Sequence, residues 1–132
     1  MLASRNGFEV DLVPDYKILH DAGYNVLAYD LRNHGLSSAT NGGVSRHGIT
    51  EWRDIAGSLA YARTRPGTAG MTIGLFSRCM GAVATFAAMT RVPAAFDRVR
   101  CLVSPQPVTP RIIVGRLAVM GLGDRLEAQY MS

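Results

Sequence analysis

The sequence predicts an α/β fold with a mainly parallel sheet, because short apolar runs alternate with helical segments along the chain. Three runs have the pattern of strands, at residues 25–30, 71–76 and 99–103. They are nearly continuous rather than alternating, which is typical of strands covered on both faces. With 132 residues and a hydrophobic fraction of 48%, the chain has the size of one globular domain and too much apolar content for an intrinsically disordered protein.

The first two helices are predicted from their end signals and their spacing. The helix over 14–22 has Pro14 at its start and Gly23 just past its end. The helix over 50–64 begins with Thr50 as the expected N-cap. It places four apolar side chains on one face, which are Trp52, Ile55, Leu59 and Ala62.

The third helix is predicted over about 80–91 and is apolar nearly all round, which indicates burial against the sheet. Pro93 ends it. After Val103, three prolines indicate an extended stretch, and residues 111–122 form a candidate fourth helix.

Charge and cysteine content exclude several classes of protein. The net charge is +4, but the arginines are scattered, so no nucleic-acid surface is expected. Two cysteines are too few for a secreted disulfide framework, and neither a secretory signal nor a membrane-spanning apolar segment is recognisable. The sequence therefore predicts a cytoplasmic protein with no membrane association. No cofactor is expected, because no phosphate-binding glycine turn follows a strand, and no metal site is expected from three isolated histidines.

A sharp strand-to-helix turn is predicted at residues 77–81. Ser77 and Gly81 are the small residues that such a turn requires two positions before and after its apex, Cys79. A side chain at the apex lies at the carboxyl edge of the sheet, where open α/β sheets bind ligands. It also lies at a helix N-terminus, whose partial positive charge favours a thiolate. The alternative is that Cys79 is a small buried residue, the commonest position of a free cysteine.

This turn resembles the nucleophile elbow of the α/β-hydrolase superfamily, which usually reads G-x-S-x-G. Ser77 stands in place of the first glycine. Cys79 stands in place of the serine, and the dienelactone hydrolases of that superfamily also use cysteine at this position. Residues 30–37 (DLRNHGLS) resemble the D-x-R-G-x-G-x-S loop after the fourth strand of the family, with Asn33 replacing a glycine. The resemblance covers about residues 12–105.

The resemblance implies a partial three-layer α/β-hydrolase-type fold that lacks the N- and C-terminal strands. It implies one partial domain over 1–132, with its core at 12–105 and the start of a cap or lid at 106–132. It places Cys79 at the nucleophile position and makes the backbone N–H of Met80 a donor to the oxyanion. The implied reaction is hydrolysis of, or acyl transfer from, a small ester or thioester substrate.

The base and acid of a catalytic triad are not recognisable, so whether the chain is an enzyme stays open. In the family the order is nucleophile, acid, histidine, and no histidine follows Cys79. In the family a further strand lies between those corresponding to 25–30 and 71–76. Without it, either these two strands pair directly, or another chain fills the gap, or the chain is unstable and prone to self-associate through exposed strand edges. The expectation is a fragment of a longer hydrolase with impaired activity. The alternative is a non-catalytic α/β module that binds a ligand or partner, or an inactive gene fragment.

Five further residues have a structural interpretation. Cys101 is expected to be an inert core residue, and Ser77 to be a small turn residue rather than the nucleophile. His34 is expected to stabilise its loop, and Asp30 to hold the following turn through backbone hydrogen bonds. Arg78 either contacts an acidic substrate or is a surface residue.

Overall fold

A computed structural model describes residues 12–119, which form a mixed α/β arrangement. The helices are α1 (Val13–Asp21), α2 (Trp52–Thr64), α3 (Met80–Arg91) and α4 (Pro110–Val119), and the strands are β1 (Ile73–Phe76) and β2 (Val99–Val103). Short 3-10 turns lie at Asn41–Gly43 and Pro93–Phe96. The four predicted helices are confirmed within one or two residues at each described end, and residues 120–122 of the fourth lie outside the described residues.

The two strands form a parallel pair, with α3 as the connection between them. Parallel strands need such a crossover, since a tight turn joins only antiparallel neighbours. In the register, Gly74 lies opposite Cys101 and Phe76 lies opposite Val103, with an irregularity between Ile73 and Gly74. The predicted strand at 99–103 is confirmed, and the one at 71–76 begins two residues later than expected.

The predicted strand over 25–30 is wrong. Residues 24–30 have no regular secondary structure and pair with neither β1 nor β2. A strand exists only where its backbone groups bond to a neighbour, and the described part of the chain supplies none beside this segment. The segment is instead held to α2 by a side chain, because the Ser58 hydroxyl donates to the Tyr29 hydroxyl oxygen at 3.0 Å.

An ion pair fixes the loop that follows this segment to α2. The guanidinium of Arg32 lies 2.7 Å through Nη2 from one carboxylate oxygen of Asp54, and 3.0 Å through Nε from both. The backbone N–H of Arg32 also donates to Asp54, at 3.0 Å. The Asp54 carboxylate raises the pKa of Arg32. Such charge-assisted, two-pronged bonds set the orientation of the loop as well as its distance from the helix.

The described hydrophobic core lies between α2 and α3. Ile55 and Leu59, on the predicted apolar face of α2, are 4% and 2% exposed, so that face is confirmed. Ala84 and Ala88 of α3 are fully buried against Ile55. Partly buried side chains pack around this cluster, and they are Leu31, Trp52, Val92 and Phe96. Alanines on α3 let the two helices approach closely, because they add almost no width to the helix.

Two expectations about burial are wrong. Helix α3 is buried on one face only, since Phe86 and Met89 are exposed. The sheet also has an open face, where Phe76 and Val103 are exposed together with Cys101, which does not lie in the core. The strands of a parallel sheet are buried on both faces only when helices pack against each face. In the described residues this face of the sheet lies open.

The N-terminus of α2 also differs from the prediction. The residue at the N-cap is Glu51, not Thr50, and the Thr50 hydroxyl is buried with no hydrogen-bond partner. No helix among residues 12–119 is both long enough and apolar enough to cross a bilayer.

Self-association stays a prediction that the open sheet face makes testable. We expect the weight-average mass to rise with protein concentration in sedimentation equilibrium, because exposed apolar strands associate. Replacing Val103, which is 53% exposed, by lysine should reduce this rise. A monomer mass at every concentration would contradict the prediction.

Candidate functional site

The chain reverses direction sharply where β1 leads into α3. The N–H of Ser77 donates to the carbonyl of Val103 at 2.9 Å, and the N–H of Cys79 donates to that of Pro105 at 3.1 Å. The pairing of β1 with β2 therefore continues past the end of both strands. One residue later, at Met80, the backbone is already helical. Residues 77–81, which contain this change from strand to helix, are called the Cys79 turn.

Cys79 has an unusual backbone conformation, with φ of 53° and ψ of −117°. The positive φ is uncommon for a residue with a side chain, and this ψ lies outside the small left-handed helical region. Such a conformation costs about 1–3 kcal/mol and persists only when the surroundings impose it. Two hydrogen bonds hold Cys79 in this conformation. Its N–H donates to the carbonyl of Pro105, and its own carbonyl accepts from the N–H of Ala82 at 3.0 Å.

The thiol of Cys79 is exposed, so the alternative of a small buried cysteine is wrong. Met80 is the first residue of α3, and the N–H of a first helical residue has no acceptor within its own helix. The neighbouring N–H of Gly81 is already used, because it donates to the Arg78 carbonyl at 2.9 Å. The turn thus presents a thiol and the N–H of Met80 on consecutive residues at a helix N-terminus.

Ser77 is a small residue of the turn, as expected, and is not available as a nucleophile. Its hydroxyl lies 2.8 Å from the hydroxyl of Thr85, which is fully buried in α3. Ser77 itself is 7% exposed, so a larger side chain there would push β1 away from α3. The crowding expected at Gly81 is absent from the described residues, where a Cβ on that glycine would meet nothing within 4 Å.

His34 and Arg78, which were considered from the sequence, each contact another part of the chain. His34 Nδ1 lies 2.8 Å from the carbonyl oxygen of Arg32, within its own loop. Arg78 Nη1 lies 3.4 Å from a carboxylate oxygen of Asp15, so it joins α1 to the Cys79 turn. His20 lies in the last turn of α1. Within residues 12–119 no group of acidic, histidine and cysteine side chains is placed to hold a metal ion.

The structure of the loop at 30–37 shows why Asn33 fits where the D-x-R-G-x-G-x-S pattern has a glycine. Asp30 accepts a hydrogen bond from the N–H of Leu36 at 2.9 Å, which confirms its predicted role. A Cβ on Gly35 would lie 2.2 Å from the Asp30 carboxylate and would displace it from its bond to Leu36, and the φ of 52° at this position also favours glycine. Asn33 has a φ of 64° and is 1% exposed, and its amide donates to the carbonyl of Val44 at 2.9 Å. Asparagine tolerates this left-handed conformation better than most residues with a side chain, and it adds a hydrogen bond that glycine lacks.

Sequence reasoning missed Glu51, which is completely buried. Its carboxylate accepts hydrogen bonds from the N–H groups of Arg46, Gly48 and Thr50, at 3.0, 2.8 and 3.1 Å. Burial raises the pKa of Glu51, but these N–H groups lower it by more, so its pKa lies below the ordinary value. The available signal was an acidic residue at the end of a glycine-containing loop, directly before an apolar helix.

Acid should destabilise the chain through Glu51. Because its folded pKa is below its unfolded one, the carboxylate contributes its full stability above pH about 4.5. That contribution is lost as the pH falls through the lower, folded pKa. We expect Glu51→Gln to lower the free energy of unfolding by about 2–4 kcal/mol at pH 7, measured by urea denaturation, and the difference from the parent chain to shrink below pH 4.5. The exposed change Asp97→Asn is the control, and a difference that does not vary with pH would contradict the prediction.

A concave surface separate from the Cys79 turn lies between the 25–30 segment and α2. Its cleft of about 560 Å³ is lined mainly by side chains of those two elements, including Leu27, Tyr29, Gly57 and Tyr61, and Cys79 does not line it. The Cys79 turn is therefore an exposed apex and not the floor of this cleft.

The strained apex with its exposed thiol is the feature of the described residues that points most directly to chemistry. Comparisons of the chain with protein-family models, with curated proteins and with solved structures find no match in any of the three. Its function is therefore argued from the chemistry of its own residues.

Proposed function

We propose that this is an α/β-hydrolase-like protein in which Cys79 accepts an acyl group from an ester or thioester. The observation that carries the proposal is the backbone of Cys79, with φ of 53° and ψ of −117° at a junction of strand and helix. Strain of this kind concentrates at functional sites, where it presents a side chain that an ordinary turn would bury. The exposure of the thiol is the second support.

The chemistry requires only groups at the turn and water. The sulfur of Cys79 bonds to the carbonyl carbon as its proton passes to water, and the carbonyl oxygen becomes an oxyanion. The N–H of Met80 donates to that oxyanion, assisted by the partial positive charge of the α3 N-terminus. The bond to the alcohol or thiol group then breaks, and this leaving group takes a proton from water. Hydrolysis of the S-acyl product by water would complete a turnover, and acylation alone suffices for the proposal.

The architecture proposed with this function is a partial three-layer α/β-hydrolase fold. Its support is the β1–α3–β2 unit with the Cys79 turn at the start of α3. Further support comes from the loop at 30–37, in which Asn33, at a position where the family pattern has glycine, adopts a φ of 64°. The proposed location is the cytoplasm, whose reducing conditions keep a catalytic thiol free.

The test is direct acylation of the intact chain by p-nitrophenyl acetate, followed by peptide mapping. Trypsin cleavage after Arg78 and Arg100 separates the two cysteines into peptides 79–91 and 101–111. Because both cysteines are exposed, Cys101 serves as the internal reference for ordinary thiol reactivity. We expect the acetyl group on peptide 79–91 first. Equal acylation of the two peptides would contradict the proposal and favour a non-catalytic α/β module.

A further inference from the structure

A short loop before α2 lies along α3, the helix that carries the Cys79 turn. This loop, residues 45–50, is called the bracing loop below. Near the start of α3 the Ser45 hydroxyl lies 3.2 Å from the sulfur of Met80. At the other end of α3, Arg91 donates to the carbonyl of Ile49 at 3.2 Å. The bracing loop therefore contacts the helix from its first residue to its last.

Between these two contacts the loop backbone touches the helix backbone. A Cβ on Gly48 would lie 2.7 Å from the backbone nitrogen of Ala84 and 3.0 Å from the carbonyl carbon of Val83. Gly48 is buried and has a φ of 94°, so it is fitted against the second turn of α3. Any movement of the loop is transmitted to the helix, because packed backbones leave no space to absorb it.

The bracing loop has no regular secondary structure, and its shape is held instead by hydrogen bonds to Glu51. Three N–H groups of the loop donate to its carboxylate, as described above, and the Ser45 hydroxyl lies 3.4 Å from it. Glu51 is also the N-cap residue of α2. One buried carboxylate thus connects the start of α2, the loop and, through Ser45, the residue next to Cys79.

We propose that Glu51 is a positioning residue for the Cys79 turn: it sets the bracing loop, which in turn sets the N-terminus of α3 and the direction of the Met80 N–H. This inference rests on the proposed acylation of Cys79. Misplacing the Met80 N–H should slow only a reaction in which an oxyanion forms. Acyl transfer needs the Met80 N–H at hydrogen-bonding distance from that oxygen, whereas alkylation of the same thiol by iodoacetamide forms no oxyanion.

The experiment compares two rates at Cys79 in the intact chain, acylation by p-nitrophenyl acetate and alkylation by iodoacetamide, each followed on peptide 79–91. In Glu51→Gln, an amide group faces the N–H donors, and we expect the ratio of acylation to alkylation to fall about tenfold, since losing an oxyanion donor outright costs about a hundredfold or more. Ser45→Ala keeps Glu51 and its three backbone bonds, and we expect a fall of about threefold. Asp97→Asn, on the exposed surface, should leave the ratio unchanged.

The rates on peptide 101–111, which carries Cys101, distinguish a positioning effect from loss of the fold. In an unfolded chain Cys79 and Cys101 should be acylated at equal rates and alkylated at equal rates. If Glu51→Gln unfolds by this criterion, Ser45→Ala decides the question alone. An unchanged ratio in a folded variant would overturn the positioning role while leaving the proposed function intact. If the parent chain acylates both cysteines equally, it is the proposed function that fails.

Discussion

Replacing Cys79 by alanine should abolish acylation of the chain by p-nitrophenyl acetate within the time in which the parent is fully modified. The physical reason is the proposed role of Cys79, whose thiol is held at a strained apex beside Met80, the first residue of α3. The residual modification should be that of Cys101, which is exposed but lies in the middle of β2, opposite Gly74. Intact mass spectrometry at short times measures the effect.

The matched control is Cys101→Ala, which removes the other thiol and keeps the Cys79 turn. Its acylation rate on peptide 79–91 should equal that of the parent chain. Reversed behaviour, with acylation lost in Cys101→Ala and retained in Cys79→Ala, would show that Cys101 is the acylated thiol and would contradict the proposal. Circular dichroism of both variants checks that neither substitution has changed the helical content.

The largest stability effect is expected at Leu59. This side chain is 2% exposed on the buried face of α2, so Leu59→Ala removes apolar contacts and leaves a cavity. Such truncations cost about 2–5 kcal/mol, a large part of the total stability of a domain of ordinary size. Urea denaturation followed by circular dichroism should show a lower midpoint with little change in slope.

Leu36→Ala is the control for the same chemical change at the surface. Leu36 is 70% exposed, and its truncation should change the free energy of unfolding by about 0.5 kcal/mol or less. Equal effects of the two substitutions would mean that the interface between α2 and α3 does not carry the stability assigned to it.

Patterns in the sequence predicted the parts of the fold that depend on interactions between residues close in the chain. The helix at α2 follows from apolar spacing, and β1, α3 and β2 follow from two apolar runs and an alanine-rich segment between them. The position of Cys79 at the apex followed from small residues at fixed distances on either side. Asp30 was recognised because its side chain bonds within its own loop.

The predictions that failed concern neighbours distant in the sequence. Residues 25–30 have the composition of a strand, but strand formation depends on a partner, and β1 lies more than forty residues further along the chain without pairing to them. Cys101 has the composition of a core position, but it faces the open side of the sheet. Glu51 is a different case, since the sequence analysis did not single it out. Its partners are the nearby N–H groups of Arg46, Gly48 and Thr50, and only the fold of the bracing loop directs them at the carboxylate.

The sequence by itself determined the positions of the four helices, of strands β1 and β2, and of the residue at the apex of the strand-to-helix turn, because periodicity, proline and glycine act over a few residues. Only the tertiary structure decided which segments pair, which faces are covered and how Cys79 is held. Those outcomes depend on bonds between distant residues, such as Cys79 to Pro105 and Ser77 to Thr85. The strain at Cys79 belongs to this second group, since a backbone conformation that costs energy locally persists only where the surrounding contacts impose it.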